Sequence, residues 1–138
     1  MKKLMLVAVL FTAMFTSCKK ESTPAPAAIV YPIEGTWNGF YGSGTGAQTY
    51  DYTMLVEAGG IITVANGATI SGVPASARAT GTYTLVGNVF NGKYTYPGPS
   101  SYSFTATFNS ATGKLENGTW GSGTNLTNGG LWYMNRKN

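Results

Sequence analysis

Few residues in this chain carry side chains that could do chemistry. The 138 residues include no histidine and one cysteine, which excludes a Ser-His-Asp triad, a Cys-His pair and most zinc sites. Beyond the N-terminal segment the acids are Glu34, Asp51, Glu57 and Glu116. Asp51 and Glu57 fall on the polar face of one predicted strand, as solvated carboxylates do, so no glycosidase pair stands out. The sequence therefore predicts a protein that is not an enzyme and has no metal or cofactor.

Two further patterns exclude phosphate and nucleic-acid binding. The stretch GSGTG at 42–46 lacks the lysine and the helix of a phosphate-binding loop, so a hairpin loop is expected there. The formal net charge is +4, but four lysines lie within the first 20 residues. The remaining basic residues are scattered singly, and the basic patch of a nucleic-acid binder is absent.

The single cysteine, Cys18, lies in the stretch FTSCKKE close behind an apolar run. Lys2 and Lys3 precede that run, Leu4 to Phe15, which is the layout of a secretory signal. A membrane-spanning helix needs about 20 apolar residues, so this run is too short to span. The cysteine therefore marks the end of an export signal.

Residues 15–18, Phe-Thr-Ser-Cys, resemble the lipobox of bacterial lipoproteins. The resemblance implies that residues 1–17 are a cleaved signal peptide and that Cys18 carries a diacylglyceryl thioether and an acylated amine. Two or more acyl chains, palmitate among them, anchor a protein stably in a lipid bilayer. The expected location is the cell envelope, at the outer membrane of a Gram-negative bacterium. The alternative is an ordinary signal peptide with an incidental cysteine.

Behind the cysteine, composition divides the chain into a spacer and one domain. Residues 18–30 contain STPAPAA, a Pro/Ala-rich stretch that is typical of a semi-rigid linker. Residues 31–138 suffice for one small hydrophobic core.

Within this domain the apolar residues recur with a period of two. Tyr50 to Glu57 and Tyr102 to Phe108 alternate in this way, and turn signals such as Asn66-Gly67 and Gly87-Asn88 separate the runs. The spacing predicts about eight short antiparallel strands. Uncharged strands such as 101–108 would be unprotected as sheet edges, which favours a closed up-and-down barrel over the alternative, a β-sandwich.

Gly35, Thr36 and Trp37 match the Gly-x-Trp motif that opens the barrel of lipocalins and avidins, the calycin group. The resemblance implies that Trp37 closes one barrel end and that a basic residue of the last strand, Arg136, packs over its indole. The motif recurs at Gly118, Thr119 and Trp120, so one of the two matches is a coincidence.

The predicted interior is rich in tyrosine, whereas an ordinary barrel core uses Val, Leu and Ile. An eight-stranded barrel has room for side chains or for one small ligand. One hypothesis is a cavity that binds a small apolar or ring-shaped molecule, and the other is a filled barrel that acts as an interaction, inhibitor or glycan-binding module through its outer loops. The ligand-binding candidates are Tyr50, Tyr52, Tyr83, Tyr94, Tyr96, Tyr102 and Trp120.

Overall fold

A computed structural model of the protein describes residues 27–138. The predicted signal peptide, Cys18 and the linker up to residue 26 lie outside the described residues. The strands are β1 Gly35–Tyr41, β2 Tyr50–Glu57, β3 Ile61–Ala65, β4 Ala79–Val86, β5 Val89–Thr95, β6 Ser101–Asn109, β7 Lys114–Ser122 and β8 Gly130–Arg136. One 3-10 turn, Ala75–Ala77, lies between β3 and β4. None of the helical structure within 27–138 is long and apolar enough to cross a membrane.

Each strand pairs antiparallel with the next, and β8 pairs back onto β1 to close the barrel. The closing register runs from Trp37 opposite Arg136 to Tyr41 opposite Trp132. Closure pairs every strand on both sides, so an uncharged strand such as β6 has no free edge. The predicted up-and-down barrel of eight strands is confirmed, and the sandwich alternative is wrong.

Tight glycine turns let consecutive strands reverse direction. Between β4 and β5 the turn has two residues, because Val86 lies opposite Val89. Its first residue, Gly87, has a φ of 62°, a conformation that costs other L-residues about 1–2 kcal/mol. A glycine at this position is typical of a type II′ hairpin.

One end of the barrel, here called the base, is closed by the segment that precedes β1. Tyr31 donates its backbone N–H to the carbonyl of Ser110 at 2.8 Å, and Ile33 is buried. The indole of Trp37 is fully buried and donates to the carbonyl of Ile33 at 2.8 Å. It meets the ring of Phe108 edge-on, at 5.9 Å between centroids. The described chain therefore enters the barrel at the base.

The middle of the barrel is filled by side chains. The largest fully buried ones there are Met54, Ile62, Phe90, Phe104, Leu115 and Met134. They form one hydrophobic cluster with Trp37 below and Trp132 above. Any internal space is therefore confined to the opposite end, here called the mouth.

Candidate ligand-binding site

A cavity opens at the mouth of the barrel and encloses about 100 Å³. Its lining consists of five tyrosines, one tryptophan and one asparagine, here called the aromatic cup: Tyr41, Tyr52, Asn66, Tyr94, Tyr96, Tyr102 and Trp120. A water molecule needs only about 10–15 Å³ of such enclosed space, so the cavity holds several waters. A small molecule fits with part of its structure in the mouth, whereas a long lipid tail does not fit.

Five of the strands each contribute one inward-facing residue near the mouth, and Asn66 and Tyr96 follow the ends of β3 and β5. Tyr41 is the last residue of β1, and Tyr52 shares the inward face of β2 with the buried Met54. Tyr94 of β5 lies directly opposite Tyr102 of β6 in the strand register, and their ring centroids are 5.6 Å apart. Residues far apart in sequence thus meet at one end of the barrel.

Trp120 reaches the cup because β7 contains a bulge. Leu115 and Trp120 are five residues apart, and in a regular strand they would point to opposite faces. The register of β7 against β8 shifts between Leu115 and Gly118, and Asn117 adopts a φ of 54° there. The extra residue restores Trp120 to the inward face, so Leu115 fills the core while Trp120 lines the cup. Bulges are often found beside functional sites, where they redirect a side chain.

The aromatic rings touch one another around the cavity. Tyr41 lies 5.4 Å from Tyr52 and 6.1 Å from Trp120 between ring centroids, and Trp120 lies 5.7 Å from Tyr102. The Trp120 indole donates to the carbonyl of Gly42 at 3.0 Å, which holds the ring against the loop after β1. Edge-to-face pairs of this kind contribute about 0.5–1.5 kcal/mol beyond the area they bury. The side chains of the cup therefore hold one another in position by mutual packing.

The floor of the cup is closed by the core beneath it. Tyr52 is 4% exposed and packs edge-on against Trp132 at 6.0 Å. Tyr94 is 6% exposed and lies 5.9 Å from Phe104. The cavity consequently opens only toward the mouth.

The polar groups of the cup are phenol hydroxyls with incomplete internal pairing. The Tyr52 hydroxyl donates to the Tyr94 hydroxyl at 3.1 Å, and the Tyr96 hydroxyl donates to Oδ1 of Asn66 at 2.9 Å. A phenol carries one proton and can also accept. Because the Tyr94 hydroxyl accepts from Tyr52, its own proton makes no hydrogen bond within this pair. That proton is available to a ligand.

Burial raises the pKa of the phenols of Tyr52, Tyr94 and Tyr96 further above the physiological range. Desolvation raises the pKa of Tyr94 to about 12. It also raises the pKa of Tyr52 well above the usual 10.0, and the hydrogen bond to Tyr94 adds to this shift because Tyr52 is the donor. The pKa of Tyr96 is raised chiefly by burial and next by the neighbouring Tyr94. No acidic or basic side chain lines the cup, so the site carries no charge at physiological pH.

Two of the predicted binding residues lie outside the cup. Tyr50 was expected in the interior, but the ring is 58% exposed, because Tyr50 is the first residue of β2 and projects beyond the barrel rim. It remains in contact with Tyr41 at 5.3 Å. Tyr83 faces inward near the base, where it packs on Phe90 at 5.3 Å and its hydroxyl donates to the Glu57 carbonyl at 3.3 Å.

The sequence reasoning missed two members of the cup. Tyr41 has the same strand parity as Trp37, and this parity was a usable signal for an inward position. Asn66 follows the end of β3, and no pattern in the sequence distinguishes it from other turn asparagines. The predicted residues that do meet in the cup are Tyr52, Tyr94, Tyr96, Tyr102 and Trp120.

At the base, the predicted pair Trp37 and Arg136 lie directly opposite each other on β1 and β8. The Arg136 guanidinium donates to the carbonyl of Pro32 at 2.8 Å and to that of Glu34. A Cβ atom at Gly35 would lie 2.8 Å from guanidinium nitrogens, so the charged group covers this glycine. Arg136 thus fastens the segment before β1 to the last strand.

Among residues 27–138, no three or more His, Cys, Asp or Glu side chains are grouped so as to hold a metal ion. No family model, curated protein or solved structure matches this chain. The fold and the cup define the protein as a closed eight-stranded antiparallel barrel with an uncharged aromatic cavity at one end.

Proposed function

We propose that this protein is a cell-envelope lipoprotein whose barrel binds a small ring-shaped molecule in the aromatic cup. The observation that carries the binding proposal is the cup itself. Its aromatic side chains enclose about 100 Å³ above a closed floor, with an unused hydroxyl proton on Tyr94. Ligand sites in proteins combine apolar walls with a few polar groups that fix orientation, and the cup has both features.

The anchor in this proposal is the acylated Cys18 of the lipobox-like sequence. The described chain enters the barrel at the base, through the segment that contacts Ser110 and Arg136. A tether on this side leaves the mouth at the opposite end of the barrel. The proposal places the protein on the outer membrane of a Gram-negative bacterium and assigns no catalytic step to it.

The anchor is tested by metabolic labelling with radioactive palmitate in the chain expressed from its complete sequence. We expect the wild type to be labelled and to sediment with membranes, and Cys18→Ser to lose both properties. A labelled Cys18→Ser variant, or an unlabelled wild type, would contradict the lipoprotein proposal without affecting the cup.

Ligand binding is tested by labelling the protein with 5-fluorotryptophan, since the chain has three tryptophans and only Trp120 lines the cup. Phenol and cyclohexanol serve as ring-shaped probes. We expect them to shift the ¹⁹F signal of Trp120, identified by a Trp120→Phe variant, and to leave Trp37 and Trp132 unchanged. No shift up to the solubility limit of both probes would overturn the binding proposal.

A second candidate function is an interaction module that works through the outer loops. Backbone hydrogen bonds join the loop after β1 to the loop before β8 and to the start of β8: Gly44 donates to the Gly129 carbonyl at 2.8 Å, and Gly42 donates to the Leu131 carbonyl at 2.9 Å. The loops at 42–48 and 121–130 therefore form one continuous surface beside the mouth. In this case substitutions in the loops would reduce partner binding, while substitutions deep in the cup would have no effect.

A further inference from the structure

The chemistry of the cup selects a neutral ligand. No charged side chain lines the cavity, and its phenols are protonated at physiological pH because the ordinary pKa of tyrosine is about 10. An anion would lose its hydration in the cup without gaining a partner of opposite charge, which is strongly unfavourable. A cation is attracted by aromatic faces, but it offers no acceptor to the unused proton of Tyr94. A neutral molecule meets no such penalty.

The polar groups of the cup select a ligand that both donates and accepts hydrogen bonds. The Tyr94 hydroxyl has an unused proton on a side chain that is 6% exposed. Tyr41 and Tyr102 line the same space, and a phenol oxygen can both donate and accept a hydrogen bond. A saturated ring with hydroxyl groups supplies both partners, while its C–H faces pack against the aromatic walls. Sugar rings have this combination.

Because the floor of the cup is closed, only the end of a polymeric ligand can enter the cavity. Phe104 and Trp132 lie beneath Tyr94 and Tyr52, so a polymer cannot pass through the barrel. Its first ring enters the cup and the next ring must lie outside the mouth. At that place the exposed ring of Tyr50 extends from Tyr41 at an interplanar angle of 34°.

We propose that the aromatic cup binds the terminal ring of a neutral saccharide and that Tyr50 supports the second ring. This inference rests on the function proposed above and adds the ligand class to it. It also accounts for the most exposed tyrosine of the mouth, which is 58% accessible although its neighbours point into the cavity. An aromatic ring at a solvent-exposed edge is well suited to stack against the face of a sugar.

The test uses the fluorotryptophan-labelled chain with glucose and N-acetylglucosamine, and then with their disaccharides cellobiose and chitobiose. We expect at least one monosaccharide to shift the Trp120 signal and its disaccharide to bind about three- to tenfold more tightly, the gain typical of one added aromatic contact. Glucuronate, an anionic analogue of glucose, should bind at least about tenfold more weakly than glucose.

Matched variants separate the two rings. Tyr50→Ala should remove the advantage of the disaccharide and leave monosaccharide affinity unchanged, while Tyr50→Phe keeps both. The control is Tyr133→Ala, which removes a 37% exposed tyrosine on the outer wall and should change neither affinity.

Each other outcome contradicts a defined part of the inference. If phenol or cyclohexanol binds and no sugar does, the ligand class is wrong and the proposed function stands. If tetramethylammonium binds in preference to sugars, the cup is a cation cage and the neutral-ligand inference is wrong. If Tyr50→Ala leaves disaccharide affinity intact, Tyr50 has no role in binding. If none of these probes shifts Trp120, both the inference and the proposed binding function are overturned.

Discussion

The stability of the barrel should fall steeply at alkaline pH because the cup buries phenols that resist ionisation. The pKa of Tyr94 rises from 10.0 to about 12 on folding, chiefly through desolvation. The folded protein therefore holds a proton that the unfolded chain releases above pH 10, and stability is lost as pH rises through this window. Below pH 10 the contribution of Tyr94 is fully present.

The magnitude follows from the shift. Two pKa units at 1.36 kcal/mol each correspond to about 2.7 kcal/mol from Tyr94 alone, of which about 2.3 kcal/mol is lost by pH 12, where the folded group is half ionised. Tyr52 changes in the same direction, since its pKa is also raised. For a small domain with a total stability of about 5–15 kcal/mol, this loss is easily measured.

The assay is urea-induced unfolding, followed by near-ultraviolet circular dichroism, at a series of pH values from neutral to pH 12. We expect Tyr94→Phe to be less stable than the wild type by about 1–3 kcal/mol at neutral pH, because the Tyr52 hydroxyl loses its acceptor. Between neutral pH and pH 12 the stability of this variant should fall by about 2.3 kcal/mol less than that of the wild type. Tyr133→Phe, on the outer wall, is the control and should follow the wild type.

One result would refute this reasoning. If the wild type and Tyr94→Phe lose stability in parallel between pH 10 and pH 12, then Tyr94 ionises as freely in the folded protein as in the unfolded chain. The floor of the cup would then be accessible to water, and the argument for a dry, uncharged ligand site would fail with it.

Three further predictions concern the scaffold. Asn117 adopts a φ of 54° at the bulge of β7, a conformation that costs a β-branched residue about 1–2 kcal/mol. We expect Asn117→Val to lose about this much stability in unfolding experiments, and an unchanged stability would contradict the prediction. In Gly39→Ala the new Cβ would lie 1.9 Å from a carbonyl oxygen of β8, which predicts a loss of about 3 kcal/mol by the same measurement, whereas wild-type stability would mean that the strands separate easily. Arg136→Met removes two hydrogen bonds to the segment before β1 and should accelerate amide hydrogen exchange at Tyr31, and an unchanged rate would show that other contacts hold this segment.

The aromatic residues show which members of the site can be predicted from the alternation of inward and outward positions along a strand, here called strand parity. Tyr52, Tyr94 and Tyr102 alternate with polar residues in regular strands, and the structure places all three in the cup. Tyr50 has the same parity as Tyr52, yet parity states only the direction of a side chain and not its height along the barrel axis. Tyr83 likewise points inward but lies near the base, because its place in β4 puts it far from the mouth.

The alternation of apolar and polar residues and the glycine turns predicted by themselves about eight antiparallel strands, and the lack of edge charges favoured a closed barrel over a sandwich, which the structure then decided. These are local patterns, because each can be recognised from a few neighbouring residues. Only the tertiary structure decided that Leu115 and Trp120 share the inward face and that Tyr41 and Asn66 join the cup. A bulge shifts the in-and-out alternation of side chains partway along a strand, and the alternation pattern alone does not show where this happens. Which distant residues meet at one end of the barrel depends on the register between strands, and the sequence of a single strand does not specify that register.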